Sequence, residues 1–242
     1  MMKAKNAGLR MLLPALALVS PDGSADAAEG ASSHYLPGMA GDIAIAQSPQ
    51  PGLQVANTVW VQTGNVNRAV LQGRVDLGLD LDVVLDLVGA AYTFAAPILG
   101  GTYTIGALIP FGYAKLEAEA TGPGGGTVGA SSDSFDLADI AFVPLQLNWS
   151  VGEFSFKLAQ AIIAPTGGYD VDERVNLGRN YWSFDTVGAA TWLHTATGSE
   201  VSVAPGIMVN TENDDTNYTT GAEFHVDFTV NQFLTETFAI GL

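Results

Sequence analysis

Hydrophobic and polar positions alternate most cleanly over residues 74–88, RVDLGLDLDVVLDLV. Val75, Leu77, Leu79, Leu81, Val83, Leu85 and Leu87 take every odd position, and Asp76, Gly78, Asp80, Asp82, Val84 and Asp86 take the even ones. A period of two places these sets on opposite faces of one strand. One face is hydrocarbon and the other carries four carboxylates, although Asp is a poor strand former. A run of thirteen alternating residues extends about 43 Å at about 3.3 Å per residue. Tilted by about 40°, such a strand still covers an apolar membrane band about 25 Å tall. The expectation is a transmembrane strand with its leucines toward lipid and its aspartates toward a lumen.

The same reading along the chain predicts nine strands, at 53–63, 74–94, 102–118, 135–150, 154–164, 181–195, 200–210, 221–230 and 234–242. In the third, Tyr103, Ile105, Ala107, Ile109, Phe111 and Tyr113 share one face, and Pro110 predicts a bulge or narrowing. In the fourth, the apolar parity changes across Val143-Pro144, as a bulge would require. The connections alternate: 64–73, 120–134, 165–180 and 211–220 are long, while 95–101, 151–153, 196–199 and 231–233 are short. Outer-membrane barrels have short periplasmic turns and longer outer loops. The fold class expected is therefore all-β, an antiparallel up-and-down transmembrane β-barrel with its N-terminus in the periplasm. Nine strands would leave the barrel one short of an even count. Together with the non-aromatic last residue Leu242, this points to a C-terminally incomplete barrel of 10–12 strands.

Three domains follow. Residues 1–27 read as a signal peptide. Lys3, Lys5 and Arg10 precede the apolar stretch 11–19, and Ala25-Asp26-Ala27 fits a cleavage site. Residues 28–52 are broken by Pro37, Pro49, Pro51 and several glycines. They form either a periplasmic tail or a partial plug, in which His34 and Tyr35 would be lumen contacts. Residues 53–242 form the barrel. The expected location is the outer membrane of a Gram-negative cell, reached through the inner membrane by the signal peptide.

Charge and composition narrow the chemistry. The chain has a net charge of −16 and no cysteine. Removing residues 1–27 takes away three cations and two anions, moving the charge to −17. Nucleic acid is excluded as a partner, since phosphate contacts need a basic patch. Disulfides, thiolate metal sites and a Cys nucleophile are excluded too. The histidines, His34, His194 and His225, form no HExxH pattern, and no metal site or other cofactor is expected. The glycine-rich stretch 120–134 lacks the GK[ST] ending of a phosphate loop. Asn213, Asp214, Asp215 and Asn217 lack the spacing of an EF-hand. Four carboxylates along one strand face do not make a catalytic pair, and no serine is placed to work with His225. No enzyme activity is expected.

The lumen candidates are Asp76, Asp80, Asp82 and Asp86, either a solvated inner wall or a cation- or substrate-guiding row. Trp182, Phe184 and Trp192, read as inward on the sixth strand, are candidates for an aromatic-substrate wall. Tyr103, Tyr113, Trp60 and Trp149 are expected in interfacial girdles.

Several stretches carry a resemblance. HYLPG at 34–38, Gly41-Asp42, PQPG at 49–52, RVDLGLDLDVVLDL at 74–87, ILGGTY at 98–103 and IP at 109–110 recur in order. So do APTGGYD at 164–170, NLGRNYWSFDT at 176–186 and NTENDDTNYTTGAEFHVDF at 210–228. In these the chain resembles the family known as the putative meta-pathway of phenol degradation proteins, over nearly all of the chain after residue 27. The resemblance implies an outer-membrane barrel, often encoded beside aromatic-degradation genes, that admits small hydrophobic or aromatic solutes. Expected partners are outer-membrane lipid and lipopolysaccharide, the barrel-assembly machinery and those solutes. The alternatives are a structural barrel without a transport role and a secreted soluble β protein that binds an apolar ligand.

Overall fold

The computed structural model describes residues 28–29, 33–70, 75–122, 124–235 and 238–242, with the backbone alone at 67–70 and 75–76. The signal-peptide reading of 1–27 lies outside the described residues. The described chain is all-β, with twelve strands and no α-helix. They are β1 Gly52–Val70, β2 Val75–Thr93, β3 Thr102–Thr121, β4 Thr127–Leu137, β5 Ile140–Val151, β6 Phe154–Ala164, β7 Ser183–His194, β8 Ser199–Asn210, β9 Glu212–Asn213, β10 Tyr218–Thr219, β11 Glu223–Thr235 and β12 Phe238–Gly241.

All but β9 and β10 form one antiparallel sheet in the order β1-β2-β3-β5-β6-β7-β8-β11-β12, with β4 also paired to β3. Neighbours along the sheet are sequence neighbours apart from β3 and β5, between which β4 lies, and β8 and β11, whose connection holds the small β9–β10 hairpin. This is the up-and-down order that hairpin connections produce. Because β4 and β5 share β3 end to end, they make one interrupted rib, and nine ribs result.

The connections differ from the sequence expectation at both ends. Residues 64–70 are not loop: β1 runs through them, paired with β2 up to Val70↔Val75. Likewise β3 continues to Thr121 and β4 resumes at Thr127, so most of 120–134 is hairpin. Polar residues with many glycines read as loop by composition, although here they continue the strands. Residues 231–233 are also strand, since Asn231 pairs with both Glu200 and Gly241.

The expected single strand 135–150 breaks at Ala138-Asp139. Across from this break lies Pro110, whose carbonyl accepts the Ala138 amide. The parity change at Val143-Pro144 is a bulge, opposite a shift between Thr104 and Gly106.

Residues 33–50 contribute no strand. They lie as a strap against one face of the sheet, here termed the inner face. Glu29 bonds Thr220, Asn213 and Thr216 at the long-loop end, whereas Ser48 meets Ser150 and Gly52 opens β1 opposite Thr93 at the short-turn end. The chain therefore enters at the loop end and descends the inner face before the first strand. β1 thus opens at the short-turn end, as expected, whereas residues 28–35 lie at the loop end.

The outer face is apolar and exposed. Tyr103 and Tyr113 lie on it ten residues apart on β3, about 33 Å along the strand, or about 25 Å of height at a tilt of about 40°. Ile105, Ala107, Ile109 and Phe111 fill the space between.

Candidate functional site

Register settles which face of β2 points inward. Thr93 is hydrogen-bonded to Thr104 at 2.9 Å, and Thr104 pairs with Gln146. Gln146 in turn bonds Asn148, whose amide donates to the strap carbonyl of Ala46 at 3.0 Å. Thr93 is thus on the inner face. The β1–β2 and β2–β3 registers run without a shift from there, so every odd position of β2 is inward. Leu77, Leu79, Leu81, Val83, Leu85 and Leu87 line the interior, and Asp80, Asp82 and Asp86 point outward.

This reverses the expected arrangement. Asp86 lies inside the outer apolar band beside Phe111, and Asn57 Nδ2 donates to it. Asp82 and Asp80 stand farther toward the loop end, opposite Lys115 and Glu117. Asp76 pairs with Ala69 and Thr121 by backbone register, and its side chain lies outside the described residues. None of the described carboxylates of the row forms a lumen wall.

The aromatic wall is also corrected. Phe184 pairs with Val209 and Ile162, and Trp192 with Val201 and Phe154. Val209 and Phe154 are exposed apolar residues of the outer face, and side chains directly opposite in an antiparallel pair share a face. Trp182, next to Ser183, is exposed as well. The inward neighbours on β7 are Ser183, Asp185 and Thr191, all buried. Trp192 instead donates to Glu153 at the short turn. Trp60, expected in a girdle, faces inward beside Leu85.

His34 and Tyr35 meet the inner face. His34 Nε2 is 2.8 Å from Asp139 Oδ2, and Nδ1 is 2.7 Å from Ser183 Oγ. Tyr35 stacks on His225 at 4.1 Å and donates its hydroxyl to Asp227 at 2.6 Å. His225 Nε2 meets Asp185 at 2.9 Å. Gly206 lies under this ring, where a Cβ would come within 2.2 Å of it.

Lower down, the amides of Ala44, Ile45 and Ala46 donate to Glu200, Ser202 and Thr191. Asn231 bonds both Asp42 O and Glu200. A small apolar core of Ile45, Ala46, Ala189 and Ala204 backs these contacts. A strap without regular structure has backbone groups to satisfy, and the polar inward residues of β5, β7, β8 and β11 supply the partners.

Asp139 joins three segments. Its carboxylate accepts from His34, from the amides of Thr166 and Gly167, and from the amide of Arg179. Burial alone would raise its pKa, but the His34 bond and the backbone amides outweigh this and hold it below the usual value. The pKa of His34 is lowered as well. Burial lowers its pKa, assisted by Arg179 and only partly opposed by Asp139. Gly167 and Gly178 cross backbone to backbone, each where a Cβ would lie under 3 Å from the other, folding loop 165–182 back over the break between β4 and β5.

Serine, histidine and aspartate meet here as in a hydrolase triad, yet the arrangement does not suit one. Ser183 is fully buried, its hydroxyl also reaches Asn210, and the ring nitrogens face their partners in the opposite sense to the usual triad.

Sequence reasoning missed Asp139, Asp185, Glu200 and Asn148. A usable signal existed on β8 and β11. Glu200 and Ser202 alternate with Val201 and Val203, and His225, Asp227, Thr229 and Asn231 alternate with Phe224, Val226, Phe228 and Val230.

The interior thus has two unlike walls. β5–β8 and β11 present polar groups covered by the strap. β2 and β3 present a leucine- and alanine-lined shelf, continued by Val128 and Ala130 of β4 before that strand turns polar at Ser132, Ser134 and Asp136. Near the loop end Leu77, Leu79, Ala118, Ala120, Val128 and Ala130 border an apolar hollow of about 260 Å³. Among the described residues no group of His, Asp or Glu is arranged to hold a metal.

A family model described as "Putative MetA-pathway of phenol degradation" matches residues 47–242. The crystal structure of an outer membrane channel from Pseudomonas putida F1 superposes with a TM-score of 0.62 at 16% identity, covering 83% of this chain and 73% of that one. A search of curated proteins returned no match.

Proposed function

Since the chain belongs to the family described as "Putative MetA-pathway of phenol degradation", we propose that it is an outer-membrane channel admitting small hydrophobic or aromatic solutes. One observation carries this reading: the inner wall of β2 and β3, with Val128 and Ala130 of β4 beside it, is apolar. An aqueous pore for ions or sugars is expected to be polar inside, whereas Leu77, Leu79 and Ala118 offer an apolar solute a surface out of water. The outward aromatics and the band between Tyr103 and Tyr113 support a place in the outer membrane. The fold shared with a channel at 16% identity supports the architecture and leaves the solute to the residues themselves. In this reading residues 33–50 are a plug along the polar wall, and the chain is not an enzyme.

The test is uptake by cells with intact lipopolysaccharide. Cells producing the chain should take up a neutral naphthalene-type probe several-fold faster than cells without it, with no gain for a sugar of similar size. Equal uptake with and without the chain would overturn the proposal. Recovery of the chain in the soluble periplasm rather than in washed outer membranes would overturn the location. A second reading, a barrel without transport, is favoured by one feature. The strap is bonded to the wall from Ser33 to Gln47, which leaves that side of the lumen filled. That reading expects no uptake in either arm.

A further inference from the structure

We infer that Trp60 is the gate and size-selecting residue at the inner end of the leucine-lined wall, a step that rests on the proposed passage of apolar solutes. The inward row of β2 changes character along its length. Leu77 and Leu79 are 40% and 46% exposed, whereas Leu85 and Leu87 are 6% and 1% exposed. The wall is open toward the loop end and covered farther down. The change falls at Trp60, which stands directly opposite Leu85 in the β1–β2 register, on the same inward face.

Trp60 also ties the two walls together. Its indole Nε1 donates to the strap carbonyl of Pro37 at 3.4 Å. Among the described residues, the other hydrogen bonds between 33–47 and the sheet or its loops go to the polar side, from Asn148 and Ser183 to Glu200 and Asp227. Tryptophan suits this post because it combines a broad apolar face with one donor. The face continues the leucine surface, and the N–H holds the strap across it. At 3.4 Å the bond is at the long limit for N–H to oxygen, so it is a weak tie. Pro37 lies two residues from Tyr35, which fixes the strap to Asp227 and His225. The strap is therefore firmly held on one wall and lightly held on the other. A solute resting on Leu77 and Leu79 advances past Leu85 by displacing the indole from Pro37, with the anchored strap left in place. The size of the ring sets how large a solute can do so.

The chain contains no cysteine, so single cysteines report accessibility cleanly. L79C and L87C are made in the full chain, folded in outer membranes, and treated from outside with benzyl methanethiosulfonate. L79C should react at least tenfold faster than L87C. Adding W60A should speed L87C at least tenfold and leave L79C unchanged, while W60F, which keeps the ring and loses the donor, should give an intermediate rate. Heat-dependent gel mobility reports whether each variant is folded. Equal rates at the two positions, or no effect of W60A on L87C in folded protein, would overturn the gate. An unreactive L79C would overturn the open apolar wall itself, and with it the passage on which the gate depends. If L79C reacts first and W60A leaves L87C slow, the passage stands and Trp60 alone is ruled out.

Discussion

His34 and Asp139 are 105 residues apart in the chain, and their side chains meet at 2.8 Å where the β4–β5 rib is broken. The break makes the meeting possible. A residue inside a continuous ladder would have its backbone committed to its neighbours. Asp139 instead sits in a gap, with Thr166, Gly167 and Arg179 amides aimed at its carboxylate. The strap and the 165–182 loop are thus secured by one group.

Replacing that group should loosen both segments. Asp139→Ala leaves three backbone donors and the His34 N–H without their acceptor in a buried place. The cost should be about 3 kcal/mol, larger than for His34→Ala, which spares the loop. Urea unfolding in liposomes measures the loss, and protease cutting between Pro165 and Asn180 should appear in Asp139→Ala before it does in His34→Ala. Equal effects of the two variants would contradict a shared hub.

Acid should release the strap. Burial depresses the His34 pKa below the ordinary histidine value of 6.5, so the released strap binds a proton more readily than the docked one. Docking is then at full strength above pH 6.5 and weakens as the pH falls from there toward the lower docked value. Asp139 acts in the same sense at lower pH. Its pKa is held below 3.8, so its contribution is present above 3.8 and fades beneath. The neighbouring Arg179 adds to the His34 depression, while Glu223 opposes it. A spin label at Met39→Cys should become more mobile between pH 7.5 and 5, and His34→Gln should remove most of that change. Greater immobilisation in acid would refute the sign.

The outward position of the acidic row predicts a null result in conductance. Asp80→Asn with Asp82→Asn should leave the cation-to-anion preference of any current in planar bilayers unchanged. Both carboxylates face away from the interior, and charges on the far side of the wall are screened by salt within about 10 Å. A shifted reversal potential would place them back in the lumen.

Tryptophan fluorescence distinguishes the faces directly. In vesicles of brominated lipid, single-tryptophan variants keeping Trp149, Trp182 or Trp192 should be quenched, and the one keeping Trp60 should not. Strong quenching of Trp60 would invalidate both its inward assignment and its proposed gating role.

Much of the architecture was legible in the chain. Alternation gave nine ribs, because a period of two is a property of the extended backbone itself. Bulge residues such as Pro144 were readable for the same local reason. The polar inward rows of β8 and β11 were also present as alternation, with His225 and Asp227 set between outward phenylalanines and valines. Family membership likewise follows from the order of residues.

What the sequence by itself determined about residues 74–88 is that they form one strand with a leucine face and an aspartate face. Which face turns inward was decided only by the tertiary structure. The rule that hydrocarbon seeks lipid chose the leucines for the outside. The unbroken register from Val75 to Thr93, tied through Thr104, Gln146 and Asn148 to the strap, put them inside. The same holds for Asp139, whose role depends on a gap in one rib and on a histidine brought from the far end of the chain. Local pattern specifies a strand and its two faces. Pairing and the path of the strap assign those faces to lipid or lumen, and both depend on contacts between residues far apart in sequence.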